Sequence, residues 1–165
     1  MPPLNPASPL ARLMHAPVRP GTIVWIGIRA TRRLPMDVLQ SVDAVAGAGL
    51  AGDHYGGHNG ERQVTLIQAE SLQAIASHLG RADVSPLDLR RNLVTAGINL
   101  YALKERRFRV GDALLEATGE CHPCSRLEET LGVGGYNAVR GFGGITARVL
   151  SGGSIALGSA ILPDA

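Results

Sequence analysis

Apolar residues in this chain fall in short runs divided by glycine and proline, and the spacing of those runs predicts a β-rich molecule. Residues 22–29 form the clearest run. Thr22-Ile23-Val24-Trp25-Ile26-Gly27-Ile28 is apolar and β-branched, with Gly21 before it. Residues 63–67, 92–95, 108–110, 113–118, 145–150, 154–157 and 160–162 read as further short strands, and Gly111-Asp112 reads as a tight connection. Helical periodicity is rarer. Over residues 69–79, Leu72, Ile75, Ala76 and Leu79 share one face, and Gly80 supplies the stop. A short helix is predicted over residues 125–131, ended by Gly132, and a helical turn over 136–139. Residues 32–45 are mixed and predict no single element. The sum is a mainly β fold with a few short helices, a barrel-like sheet with helices at its edges. No internal repeat and no boundary of a second domain is visible.

Composition sharpens this picture. A chain of 165 residues that is 45% hydrophobic can build one real core, and disorder is not its default state. The first twenty residues hold six prolines, so residues 1–20 are expected to form an irregular arm outside a single domain of residues 21–165. The net charge of +2, with no basic stripe and only six aromatics, argues against a nucleic-acid partner. No apolar run approaches a membrane span, and residues 1–20 lack the apolar region of a signal peptide. Two cysteines three apart make no disulfide framework, which points to a reducing, cytoplasmic setting. Fifteen of the sixteen basic residues are arginine. A GC-rich genome suffices as a cause. The functional reading is bidentate grip on a phosphate or other oxyanion.

Candidate chemistry concentrates in Glu120-Cys121-His122-Pro123-Cys124-Ser125-Arg126-Leu127-Glu128. Ser125 and Glu128 fit the Ser-x-x-Glu capping box, which makes Ser125 the N-cap and puts Cys124 just before it. Free N–H groups and Arg126 gather there, so a thiol at this place is expected to ionise readily, and the thiolate is the form that attacks, carries sulfur or binds metal. Four readings of the cysteine pair stand open. They are a zinc half-site completed by His54 and His58, a redox dithiol without its βαβ context, two small buried apolar side chains, or one working thiolate at Cys124. Pro123 and Arg126 favour an accessible turn, and with it the last of these.

Two other stretches add candidates. Residues 47–60 are glycine-rich, and Gly47-Ala48-Gly49-Leu50-Ala51-Gly52 matches a dinucleotide fingerprint by letters alone. No helical period follows, so that reading is set aside. Asp53, His54 and His58 are polar groups among glycines, where backbone can approach a ligand closely. Arg90-Arg91-Asn92-Leu93 leads into a strand, and there Arg91 can bind an oxyanion or carbonyl while Asn92 offers an amide.

Taken in order, several motifs combine. They are Gly52-Asp53-His54 with Gly56-Gly57-His58, Arg91-Asn92-Leu93-Val94 with Gly97, and Val110-Gly111-Asp112 followed by Cys121-x-x-Cys124. Gly143-Gly144-Ile145, Arg148-Val149-Leu150 and Gly153-x-Ile155-x-x-Gly158 follow. From about residue 44 to 161 the chain resembles the MOSC domain, the C-terminal domain of molybdenum cofactor sulfurases, and its small stand-alone bacterial members. Gly158-Ser159 departs from the Gly-Asp usual near the end.

The resemblance implies a barrel-like β fold and a functional cysteine that falls on Cys124. That cysteine would ligate molybdenum in the pterin cofactor or carry sulfane sulfur as a persulfide. Two activities are implied. One is a molybdenum-dependent reductase of N-hydroxylated compounds, served by an electron-donor protein because no flavin, haem or iron–sulfur motif is visible. The other is a carrier of sulfur or cofactor, served by a sulfur-donor protein. A zinc-stabilised β-domain is the third alternative. Arg91, Asn92 and Arg126 would hold the cofactor or a small-molecule substrate, with His54 and His58 lining the same cleft. Pyridoxal phosphate enters only through the family name and is not expected to bind.

Overall fold

The structure is a computed structural model and describes residues 2–31, 33–54 and 60–164. Its strands are β1 (Gly21–Ile28), β2 (Asp37–Leu39), β3 (Ser41–Val45), β4 (Gly49–Leu50), β5 (Val64–Gln68), β6 (Leu93–Ala96), β7 (Arg107–Val110), β8 (Ala113–Glu120), β9 (Ile145–Ser151), β10 (Gly153–Ala156) and β11 (Ala160–Pro163). The helices are α1 (Pro9–Met14), α2 (Ala69–His78), α3 (Pro86–Leu89), α4 (Ser125–Leu131) and α5 (Gly135–Val139).

Seven strands close a barrel in the order β1-β11-β7-β8-β9-β5-β6 and back to β1, with β2 added beside β1. A separate three-stranded sheet runs β10-β3-β4. Closure leaves no unpaired edge on the seven, which suits strands this short. The β5–β6 pair is parallel, and its crossover is built from α2 and α3. This pair is apolar on both faces for a reason. Leu66 and Leu93 point into the barrel core, while Ile67 and Val94 lie under the helices with Leu72, Ile75 and Leu127. A register shift between Ile23 and Trp25 lets β1 serve both sides as well. Ile23 and Ile26 stay in the barrel core, and Trp25 packs toward the helices.

The mainly β expectation holds, and the differences are local. Residues 32–45 contain β2 and β3. Two of the fingerprint-like glycines, Gly47 and Gly49, belong to the β3–β4 hairpin and take positive φ. The N-terminal arm is not irregular throughout, because α1 interrupts it. Ser8 Oγ accepts from Ala11 N at 3.1 Å, and Pro9 sits in the first turn, where proline's fixed φ assists a helix. The unanticipated α3 starts the same way, with Ser85 as N-cap before Pro86. The arm is held by Arg106 Nη1, which donates to the Met14 carbonyl at 3.3 Å, and by Val18 packed on the barrel core. Among the described residues no helix is long and apolar enough to cross a membrane.

Candidate functional site

Strand direction assembles the site. β1 runs antiparallel to β6, and β5 runs parallel to it. The end of β1 and the starts of β5 and β6 therefore meet at one mouth of the barrel. Each of these ends carries an arginine close by: Arg29 after β1, Arg62 before β5 and Arg91 before β6. The start of α4 closes the side. The result is a cleft of ≈ 360 Å³ whose wall includes Cys124, Arg91, Asn92, Arg126 and His54. Five of the six residues singled out from the sequence thus share one cavity. The sixth, His58, lies outside the described residues. Arg29, Arg62 and Arg90 complete five arginines on this wall, against the two carboxylates of Asp53 and Asp88.

Arg91 is buried at 4% exposure. Its Nε donates to the Gly143 carbonyl at 2.9 Å and its Nη1 to the Leu89 carbonyl at 2.7 Å. Nη2 is buried with no hydrogen-bond partner among the described residues. Burial lowers the affinity of this guanidinium for its proton; Cys121 opposes that effect, Arg62 adds to it, and Cys124 opposes it. An arginine remains cationic in such a place, so a desolvated positive charge lies against the cleft with Nη2 unpaired among the described residues. Gly143 allows this arrangement, since a side chain there would collide with the Cys121 carbonyl and crowd Arg91 Nη2.

Asn92, next in sequence, does something else. Its Oδ1 accepts from Thr65 N at 3.0 Å and Thr65 Oγ1 at 3.2 Å, and its Nδ2 donates to the Gly27 carbonyl at 3.1 Å. The amide ties β5 and β1 to the start of β6 and forms the floor of the cleft.

Cys124 is exposed in the cleft, whereas Cys121 is buried and accepts from Arg62 Nη2 at 3.3 Å. Residues 121–124 contain neither turn nor bend, so the pair is not folded into a tight dithiol turn. The capping assignment needs correction. Cys124 itself is the N-cap of α4, without a side-chain cap bond, and Ser125 is the first helical residue. Glu128 does not reach back. Its carboxylate accepts from Gly134 N at 2.7 Å and Tyr136 N at 2.8 Å, at the start of α5. A hydrogen-bonding partner two residues into the next helix outweighed the local box.

His54 is placed by backbone. Its N–H donates to the Arg29 carbonyl at 2.6 Å, and Asp53 Oδ1 accepts from Arg29 N at 2.8 Å. Among the described residues no three His, Cys, Asp or Glu side chains form a group able to hold a metal ion. Sequence reasoning passed over Arg29 and Arg62. The available signal was their position at the ends of apolar strand runs, the same signal that marked Arg91.

The fold and site define a class: a closed seven-stranded barrel with an exposed thiol in an arginine-lined mouth. A family model for the MOSC domain matches residues 50–162, and the chain belongs to that family. It is similar in fold to YuaD protein from Bacillus subtilis, with TM-score 0.77 and 21% identity over 88% of this chain and 96% of that one. YiiM from Geobacillus stearothermophilus gives TM-score 0.70 at 18% identity over 88% and 75%. YiiM from Escherichia coli gives 0.65 at 16% over 87% and 70%. At these identities the likeness is one of fold. No curated protein matches the chain by sequence.

Proposed function

We propose that the cleft binds the molybdenum–pterin cofactor through Cys124 and that the protein reduces N-hydroxylated compounds with electrons from a separate donor protein. The observation that carries this reading is the exposed Cys124 in one cavity with a buried Arg91 whose Nη2 lacks a partner among the described residues. A buried N–H left unpaired costs about 1–3 kcal/mol, which marks Arg91 as a charge held beside the cleft against a penalty. The donor set fits the group. A thiolate is a soft ligand, and five arginines against two aspartates suit an anion that carries phosphate.

When bound, the cofactor supplies the redox metal for removing the N–OH oxygen as water, a change that takes two electrons and two protons. The chain's own residues do the rest. Cys124 holds the metal. Arg91 and Arg126 hold anionic groups of the cofactor or substrate. Asn92 fixes the floor on which Arg91 rests, and His54 forms part of the wall. A reducing, cytoplasmic setting keeps both cysteines free.

One observation favours a second reading, a sulfur carrier: Cys124 stands open to a partner protein. Turnover separates the two. Purified protein supplied with an artificial reductant should convert 6-hydroxylaminopurine to adenine, and Cys124→Ser should abolish that conversion. Stoichiometric cyanide-labile sulfur on Cys124 without turnover would replace the reductase with the carrier.

A further inference from the structure

Four of the five arginines of the cleft fall into two tiers. Arg91 lies at the floor, buried and bonded to carbonyls, and Arg62 is engaged with Cys121 Sγ. Arg90 and Arg126 are exposed on the same wall. They come from different elements that pack together, Arg90 from the end of α3 and Arg126 from the first turn of α4. Neither forms an ion pair among the described residues, although Asp53 and Asp88 also line the cleft.

Arg90 is also held at φ 55°, ψ 41°, the left-handed region. A glycine would end α3 there without strain. Arginine stands at that turn nevertheless, on the wall of the cleft, and backbone strain kept at a cavity wall points to a ligand. Arginine grips phosphate with two parallel N–H bonds, so two arginines on one wall suit a phosphate monoester. The floor tier spends donors within the protein, whereas the rim tier spends none among the described residues.

We propose that Arg90 and Arg126 form a rim subsite for a phosphate monoester carried by the substrate, so that the cleft takes an N-hydroxylated nucleotide in preference to its free base. This rests on the reading of the cleft given above, and names its substrate class. Arg90 is the specificity-determining residue and Arg126 its companion across the α3–α4 contact.

The test uses binding, so it does not depend on turnover. Calorimetry on the purified full chain compares adenosine 5′-monophosphate with adenosine, and Arg90→Gly removes the guanidinium while relaxing the left-handed turn. The monophosphate should bind about tenfold or more tightly than adenosine, as charge-assisted bonds to phosphate require, and Arg90→Gly should erase that advantage. Equal affinity of the two ligands, or an advantage that survives Arg90→Gly, overturns the proposal. So does a fall in molybdenum and pterin content of Arg90→Gly, which would assign the rim to the cofactor's phosphate. Absence of molybdenum from the wild-type protein would count against the reductase and leave the nucleotide comparison intact.

Discussion

Arg91 and Asn92 are adjacent, polar and buried, yet they divide the work of the site. Arg91 keeps Nη2 unpaired among the described residues, while Asn92 spends its amide on Thr65 and Gly27. Asn92→Ala takes the partner from Thr65 N and the Gly27 carbonyl, both buried at the cleft floor. Denaturant unfolding should show a loss of about 1–3 kcal/mol for each group left unpaired. An unchanged midpoint would mean that the amide does not brace the floor. The residue types at this spot were readable from the sequence, because arginine and asparagine before an apolar strand stand out. Their division of labour was not, since it depends on β1 and β5 arriving from distant parts of the chain.

At the scale of elements, the α4–α5 junction turns on Glu128. Backbone N–H groups of Tyr136, and then of Gly134, hold its carboxyl below the usual carboxylate range. A carboxylate with a lowered folded pKa stabilises the protein above its unfolded pKa. That stabilisation is lost as pH falls through the folded value. The thermal midpoint should therefore decline on acidification below the ordinary glutamate range, and Glu128→Gln should flatten the decline. It should not remove it, because Glu116 is also held low, first by its hydrogen bond from Arg148 and then by Arg107. A Gln variant with the wild-type acid limb would rule the clamp out. The sequence pattern Ser125-x-x-Glu128 matched a capping box by letters, but Glu128 serves the next helix. Ser8-Pro9 lay in the expected irregular arm and Ser85-Pro86 in a stretch given no element, yet both start helices, because proline stops a helix only in its interior.

The whole molecule explains why the fold was more legible than the site. Strand runs are local, and apolar stretches such as residues 22–29 announce themselves. The closure of seven strands and the parallel β5–β6 pair bring Arg29, Arg62 and Arg91 to one mouth, and that meeting exists only in three dimensions. Cys124 joins them from the far side of the chain, at the start of α4. The central claim is that this thiol, not the buried Cys121, holds the metal. Mass spectrometry of purified wild-type, Cys124→Ser and Cys121→Ser proteins, reading molybdenum and pterin per chain, tests it directly. The account predicts near-stoichiometric molybdenum in the wild type, most of it retained in Cys121→Ser, and loss in Cys124→Ser. Equal molybdenum in the wild type and Cys124→Ser would contradict it.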